Sequence, residues 1–154
     1  MSEFKLSAEI VARSQSTTWD HAKREWSLID VYEADEPEMC LCGHTPIIEI
    51  CVLHNRVNGN HAEVGNCCVK KFMGIASHLI FDGIKRVRRD PTAALNEAAI
   101  DHASARGWIT AWEEGFLVST KRKRVLSAKQ AAHRLRINLK VLRQFAGASQ
   151  RPRH

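Results

Sequence analysis

Between Thr18 and Glu33, in TWDHAKREWSLIDVYE, apolar residues recur at Trp19, Ala22, Trp26 and Ile29, with Val31 close behind. That three-to-four spacing predicts a helix over 18–33, N-capped by Thr18, with both tryptophans packed in a core. The pattern changes at 46–54, where PIIEICVLH is apolar and β-branched and reads as a strand. Asn58-Gly59 follows, the strongest short signal for a two-residue hairpin turn, and 60–66 is expected to return as a second strand. About that turn Leu53 would face Val64, Cys51 would face Asn66, and Ile50 would face Cys67, bringing Cys51 beside the Cys67-Cys68 pair.

The helical period resumes through VKKFMGIASHLIFDGIKRVRR, with a break expected at Gly74 or Gly83. A further helix is expected to start near Pro91, in PTAALNEAAIDHASARG, and to end at Gly107. Trp108, Ile109, Trp112, Phe116, Leu117 and Val118 form an apolar patch assigned to the core. Ser127-x-x-Gln130 has the form of a capping box and opens a last helix running to about residue 146. Residues 151–154 read as a frayed end. The fold class is therefore α+β and mostly helical, with a short β-hairpin packed among several α-helices. Four stretches are expected: an acidic helical segment at 1–38, a hairpin-helix module at 39–74, a helical region at 75–120, and a basic helix and tail at 121–154.

Charge sharpens this division. The chain of 154 residues carries a net +6, yet residues 1–38 hold nine acidic against four basic side chains. Residues 115–154 hold eleven basic side chains and no acidic one. A one-signed end of this kind attracts phosphate backbones or an acidic protein surface, with strong salt dependence. Lys121, Arg122, Lys123 and Arg124 lead into the last helix. Lys129, His133, Arg136, Lys140 and Arg143 then recur along one side of it. Ala128, Ala131, Leu135, Leu139, Leu142 and Ala146 form a neighbouring stripe expected to dock on the body. These eight lysines and arginines are the candidate nucleic-acid contacts, with DNA favoured over RNA. Gln130 and Asn138 are the side chains on this helix with the chemistry to read base edges, without a signal in the sequence that they do. Lys70, Lys71, Lys85, Arg86, Arg88 and Arg89 supply a second basic cluster. A host or phage protein is the competing partner, for which the acidic residues 33–38 offer a surface.

No stretch reaches 18 apolar residues, which argues against a membrane span. The start, MSEFKLSAEIVARSQ, has no basic flank followed by an apolar run, so a secretory signal is not expected. The expected compartment is the cytoplasm, where cysteines bind metal or stay reduced more often than they form disulfides.

All five cysteines fall between Cys40 and Cys68. Structural zinc takes four soft or imidazole donors from two short elements that fold around it. Cys40-Leu-Cys42-Gly43 in a tight turn supplies one half, and the Cys67-Cys68 pair after the hairpin, near a helix start, supplies the other, with Cys40, Cys42 and Cys68 as the first choices. Cys51 is the first choice for the fourth ligand, by the register argument. Cys67 and His44 are the alternates, and His54 and His61 lie further out.

The stretch CLCGHTPIIEICVLHNRVNGNHAEVGNCCVKKF resembles a group of small zinc-binding proteins carried by phages, prophages and other mobile elements. The shared form is a C-x(1–2)-C-G knuckle, an apolar strand, an Asn/Thr-Gly turn, then V-G-x-x-C and an apolar residue. It maps to Cys40, Cys42, Gly43, Asn58, Gly59, Val64, Gly65, Cys68 and Val69. The resemblance implies a treble-clef-like zinc knuckle, with a helix starting at the last ligand.

Enzymatic readings fare less well. A ββα metal-dependent nuclease finds its ingredients in His54-Asn55, a hairpin and a helix. The first histidine after Cys68 is His78, however, too far along to serve as a metal ligand there. His61-Ala62-Glu63 has the H-x-E fragment of a zinc deaminase without its P-C-x-x-C half. No phosphate-binding G-x-x-x-x-G-K-[ST] loop and no C-x-x-C redox pair is present. The expectation is a zinc-stabilised, non-catalytic accessory protein that binds nucleic acid.

Overall fold

The computed structural model describes residues 3–148; the tail at 151–154 lies outside them. The fold is α+β and mostly helical, with seven α-helices and one three-stranded antiparallel sheet among the described residues. The chain divides into two compact units. The first holds the described residues up to His78 together with Ala148, and the second holds Leu79–Gly147.

The first unit opens with α1 (Glu3–Ala12), which buries Leu6 and Ile10, four apart on one face. A single turn, α2 (Trp19–Ala22), and a 3-10 turn at Lys23–Glu25 lead into strand β1 (Trp26–Glu38). The helix expected over 18–33 is thus cut short at Ala22, and most of that stretch is strand. The reason lies in the pairing. Leu28 pairs with Leu53 but Asp30 pairs with Val52, so Ile29 is an extra residue in β1. Such a bulge shifts the period-two alternation by one, and an alternation with a shifted step imitates a helical spacing.

Strand β2 (Ile47–Asn55) lies between β1 and β3 (His61–Gly65). The hairpin is present, but its partners are Ile50 with Gly65, Cys51 with Val64, and Leu53 with Ala62. The register is two residues away from that of an Asn58-Gly59 turn. Asn55 sets it: its N–H donates to the Asn60 carbonyl at 2.8 Å, and its side-chain oxygen accepts from Val57 N at 2.8 Å and Asn58 N at 3.1 Å. The side chain thereby folds the chain into a wider loop. Gly59 takes a left-handed conformation in it, φ +79°.

Asn55 also donates to the buried Glu25 carboxylate at 2.9 Å. The backbone N–H groups of Gln15 and Ser16 donate to the same carboxylate at 2.9 and 2.8 Å. Hydrogen bonding, that from Ser16 first and that from Asn55 next, holds the Glu25 pKa down at about 2. Tyr32, Ala34, Ile50, Val52 and Ala148 pack as an apolar cluster. Helix α3 (Asn66–Met73) follows β3 without a gap and stops at Gly74, left-handed at φ +70°. Gly74 is therefore the break, whereas Gly83 sits inside the next helix.

The second unit comprises most of α4 (Ser77–Arg89), then α5 (Glu97–Ala105), α6 (Ala111–Thr120) and α7 (Ala128–Ala146). Gly83 is buried where α4 meets α5: a Cβ there would run into the Asn96 side chain and into the Ala99 Cβ at 2.8 Å. Asn96 caps α5 by accepting from Ala99 N, so that helix starts six residues after Pro91. It ends, as expected, before Gly107, left-handed at φ +72°. Phe145 packs edge-on against Phe81 and Trp108, with centroids 6.1 and 6.5 Å away.

The Ser127–Gln130 capping box is present and α7 reaches Ala146, as read from the sequence. Its buried face differs from the expected one. Arg134, Ile137, Asn138, Val141 and Phe145 are inside, while Leu135 and Leu139 are exposed. The inward stripe carries two polar residues, and their side chains are used there. Asn138 donates to the Pro91 and Ala93 carbonyls at 2.8 and 2.7 Å, and Arg134 donates to the Thr120 carbonyl at 2.6 Å. Among the described residues no helix is long and apolar enough to cross a membrane.

Candidate metal centre and basic surface

Strand β1 delivers the chain to Cys40, and a tight turn closes on itself there. Cys40 N donates to the His44 carbonyl at 2.9 Å and Gly43 N to the Cys40 carbonyl at 2.8 Å. Gly43 carries the left-handed conformation this needs, φ +90°. Both cysteine side chains are buried, and each sulfur accepts a backbone N–H: Gly65 N to Cys40 Sγ at 3.3 Å and His44 N to Cys42 Sγ at 3.4 Å. Such donors orient a sulfur and stabilise its thiolate.

Cys68 arrives from the first turn of α3, buried, with its Sγ 3.5 Å from that of Cys42. The Sγ atoms of Cys40, Cys42 and Cys68 all lie within 4.8 Å of one another. A tetrahedral zinc with Zn–S bonds of about 2.3 Å separates its sulfurs by about 3.8 Å. The cluster therefore has the dimensions of three corners of such a site.

The electrostatics point the same way. Burial pushes the Cys68 thiol pKa up, and the neighbouring Cys42 and Cys40 sulfurs push it further. Three adjacent thiolates need a compensating cation, which a divalent ion supplies. The protein adds smaller positive terms. Cys68 lies in the first turn of a helix, where the dipole favours negative charge. Lys5 reaches the knuckle from α1: a Cβ on Gly43 would meet its Nζ at 2.9 Å. Lys5 escaped the sequence reading, although the Leu6–Ile10 spacing marks the helix that carries it.

The other candidate ligands stand outside this group. Cys51 is fully buried in β2 opposite Val64, and Asn66 instead bonds Glu49 at 3.3 Å. The two-residue register difference carries Cys51 about 7 Å along the strand from the position expected beside α3. Burial pushes its thiol up to about 12. Cys67 is exposed, because adjacent residues on a helix point about 100° apart. His44 is exposed as well, and His54 and His61 pair with each other across β2 and β3, rings 4.8 Å apart. Glu63, of the H-x-E fragment, accepts from the Tyr32 hydroxyl at 2.9 Å. Beside Cys40 runs an open cleft lined in part by Lys5, Glu9, Arg13, His61 and Glu63. Its charges are mixed, and Arg13 is held by Glu9 at 2.6 Å, so it selects neither anions nor cations strongly.

The second unit carries fourteen Lys and Arg against six Asp and Glu; residues 1–78 carry seven against eleven. Arg122, Lys123 and Arg124 are exposed in the connection between α6 and α7. Lys129, Arg136 and Arg143 are exposed along α7, and Lys85, Arg86, Arg88 and Arg89 along α4. Two predicted contacts are engaged internally: Lys140 pairs with Glu113 at 2.7 Å and Lys121 with Glu97 at 3.9 Å. Asn138 and Gln130 are also occupied, the one inside the unit and the other in the capping box.

No protein family, curated protein or solved structure matches this chain.

Proposed function

We propose that this protein is a zinc-stabilised, non-catalytic nucleic-acid-binding factor, in which Cys40, Cys42 and Cys68 hold the ion and the second unit holds the nucleic acid. The observation that carries the reading is the exposed cationic surface of that unit, with Arg122, Lys123 and Arg124 in sequence beside Lys129, Arg136 and Arg143. Cations so disposed neutralise phosphates without reading bases. Zinc bound by the three thiolates fastens the knuckle to the start of α3, contributing folding energy rather than chemistry. Cys51, the first choice on sequence for the fourth corner, lies in β2 outside this trio, and its substitution tests that place. The likeness of residues 40–72 to proteins of phages and mobile elements supports an accessory role of that kind, with DNA as the first ligand to try.

The test is a titration of the zinc-loaded protein with labelled duplex and single-stranded oligonucleotides at about 50 and 200 mM salt. A variant carrying Arg122→Glu, Lys123→Glu and Arg124→Glu runs alongside. Affinity should fall steeply with salt, and the variant should lose about three from the salt slope along with most of its affinity. A folded, zinc-loaded protein that binds neither oligonucleotide at the lower salt would overturn the reading in favour of a protein partner.

A further inference from the structure

Helix α6 begins at Ala111, set by a capping box in which Thr110 accepts from Glu113 N at 3.1 Å and Glu113 accepts from Thr110 N at 2.8 Å. With the helix fixed in that phase, Leu117 and Thr120 point inward. Trp112 lies off that line and is 59% exposed. An indole turned to solvent is ordinarily mobile, but this one is held. Its ring is stacked on Phe116, with centroids 5.5 Å apart and planes inclined by 16°, and His133 of α7 stands edge-on to both rings at 5.5 and 5.7 Å. Arg136 extends the assembly through a 2.6 Å contact to His133 Nδ1.

On α7, Lys129, His133 and Arg136 are spaced by four and three and share one face, so two exposed cations flank the ring cluster. Phosphate-binding charge alone needs no ordered ring beside it. A preformed, exposed aromatic surface beside cations is what unpaired bases require: the rings stack while the cations track the backbone. Bases in a duplex are already stacked and offer no such face. We infer that Trp112, backed by Phe116 and His133 and flanked by Lys129 and Arg136, is a stacking platform for a base of single-stranded nucleic acid. The inference rests on the nucleic-acid reading above and adds to it a strand preference and a contact.

The experiment titrates the full zinc-loaded chain with short labelled oligo(dT), oligo(U) and a duplex, following both anisotropy and intrinsic tryptophan fluorescence. Of the four tryptophans Trp26 and Trp108 are buried, Trp19 is half-buried and Trp112 is the most exposed, so the part of the quench that Trp112→Phe abolishes reports on Trp112. Trp112→Ala should weaken single-strand binding roughly five- to 150-fold, as expected for one stacked base, and leave duplex binding nearly unchanged. Trp112→Phe should retain affinity while losing the quench. Comparing the dT and U strands shows whether the platform serves DNA or RNA. If Trp112→Ala binds single strands as the parent does, while charge reversal at Arg122–Arg124 abolishes binding, the platform is overturned and the phosphate-binding reading stands. If the parent binds no strand at all, both fall.

Discussion

The two units solve the same problem with different means. The second encloses large side chains, among them Phe81, Ile84, Leu95, Trp108, Leu117, Ile137 and Phe145, and closes its helices with three side-chain caps. The first has a three-stranded sheet and an apolar core that includes Leu6, Ile10, Val31, Ile50, Leu53 and Val64, but it also buries a carboxylate and three clustered thiols. Buried polar groups stabilise only when their partners are present. The buried Arg134 and Asn138 of the second unit reach carbonyls of that same unit, whereas the first buries a titratable carboxylate and a thiol trio whose charge an ion would balance under the zinc proposal.

If zinc fills the thiol trio as proposed, removing it is the largest perturbation available. Zinc contributes about 10–16 kcal/mol to the folding of small zinc-finger peptides, as much as the whole stability of a typical domain at about 5–15 kcal/mol. Chelation, or Cys68→Ser, should therefore collapse amide-exchange protection across residues 26–73 while residues 95–145 keep theirs. Equal loss in both regions would remove the contrast. Cys51→Ser sharpens it: a strong fall in zinc affinity makes Cys51 the fourth ligand, and an unchanged affinity gives that corner to a donor from elsewhere.

The complementary break is Gly83→Ala. The added methyl overlaps the Asn96 cap and Ala99, so the packing of α4 on α5 must open, at a cost of about 1–3 kcal/mol. Thermal unfolding should show a lowered midpoint for the second unit with zinc affinity intact.

Acid gives the smallest effect. The Glu25 carboxyl is held down at about 2 in the fold and titrates near 4.5 without it. Its stabilising contribution is complete above about 4.5 and is lost as pH falls toward 2. The metal-independent acid sensitivity of the first unit should diminish in Glu25→Gln, as followed by the unfolding midpoint against pH.

The sequence displayed some of this and concealed the rest for identifiable reasons. The Ser127 capping box and the hairpin were legible because each is a local backbone requirement written in one or two residues, whereas the helix break was narrowed only to Gly74 or Gly83. Strand β1 was concealed by its bulge at Ile29, and the hairpin register by the side chain of Asn55, which outcompeted the Asn58-Gly59 signal. Three of the clustered cysteines could be named in advance because the knuckle and the helix start fix them locally; the place of Cys51 depended on the register and moved with it. Trp112 was assigned to the core with its apolar neighbours, of which Trp108, Ile109 and Leu117 are buried, Phe116 is half-buried and Val118 is exposed. The unread signal was Thr110-x-x-Glu113, which sets the helix phase and turns that indole outward.

The adjacent pair at the start of α3 has a practical consequence. Cys67 faces water while Cys68 turns inward with Cys40 and Cys42, and Cys51 lies in the sheet. A thiol reagent applied to the native, ion-loaded protein should find one fast-reacting group among the five, and the count should climb as the ion is withdrawn. Under the zinc proposal the molecule carries its own occupancy gauge, readable by colorimetric thiol counting without any label or metal assay.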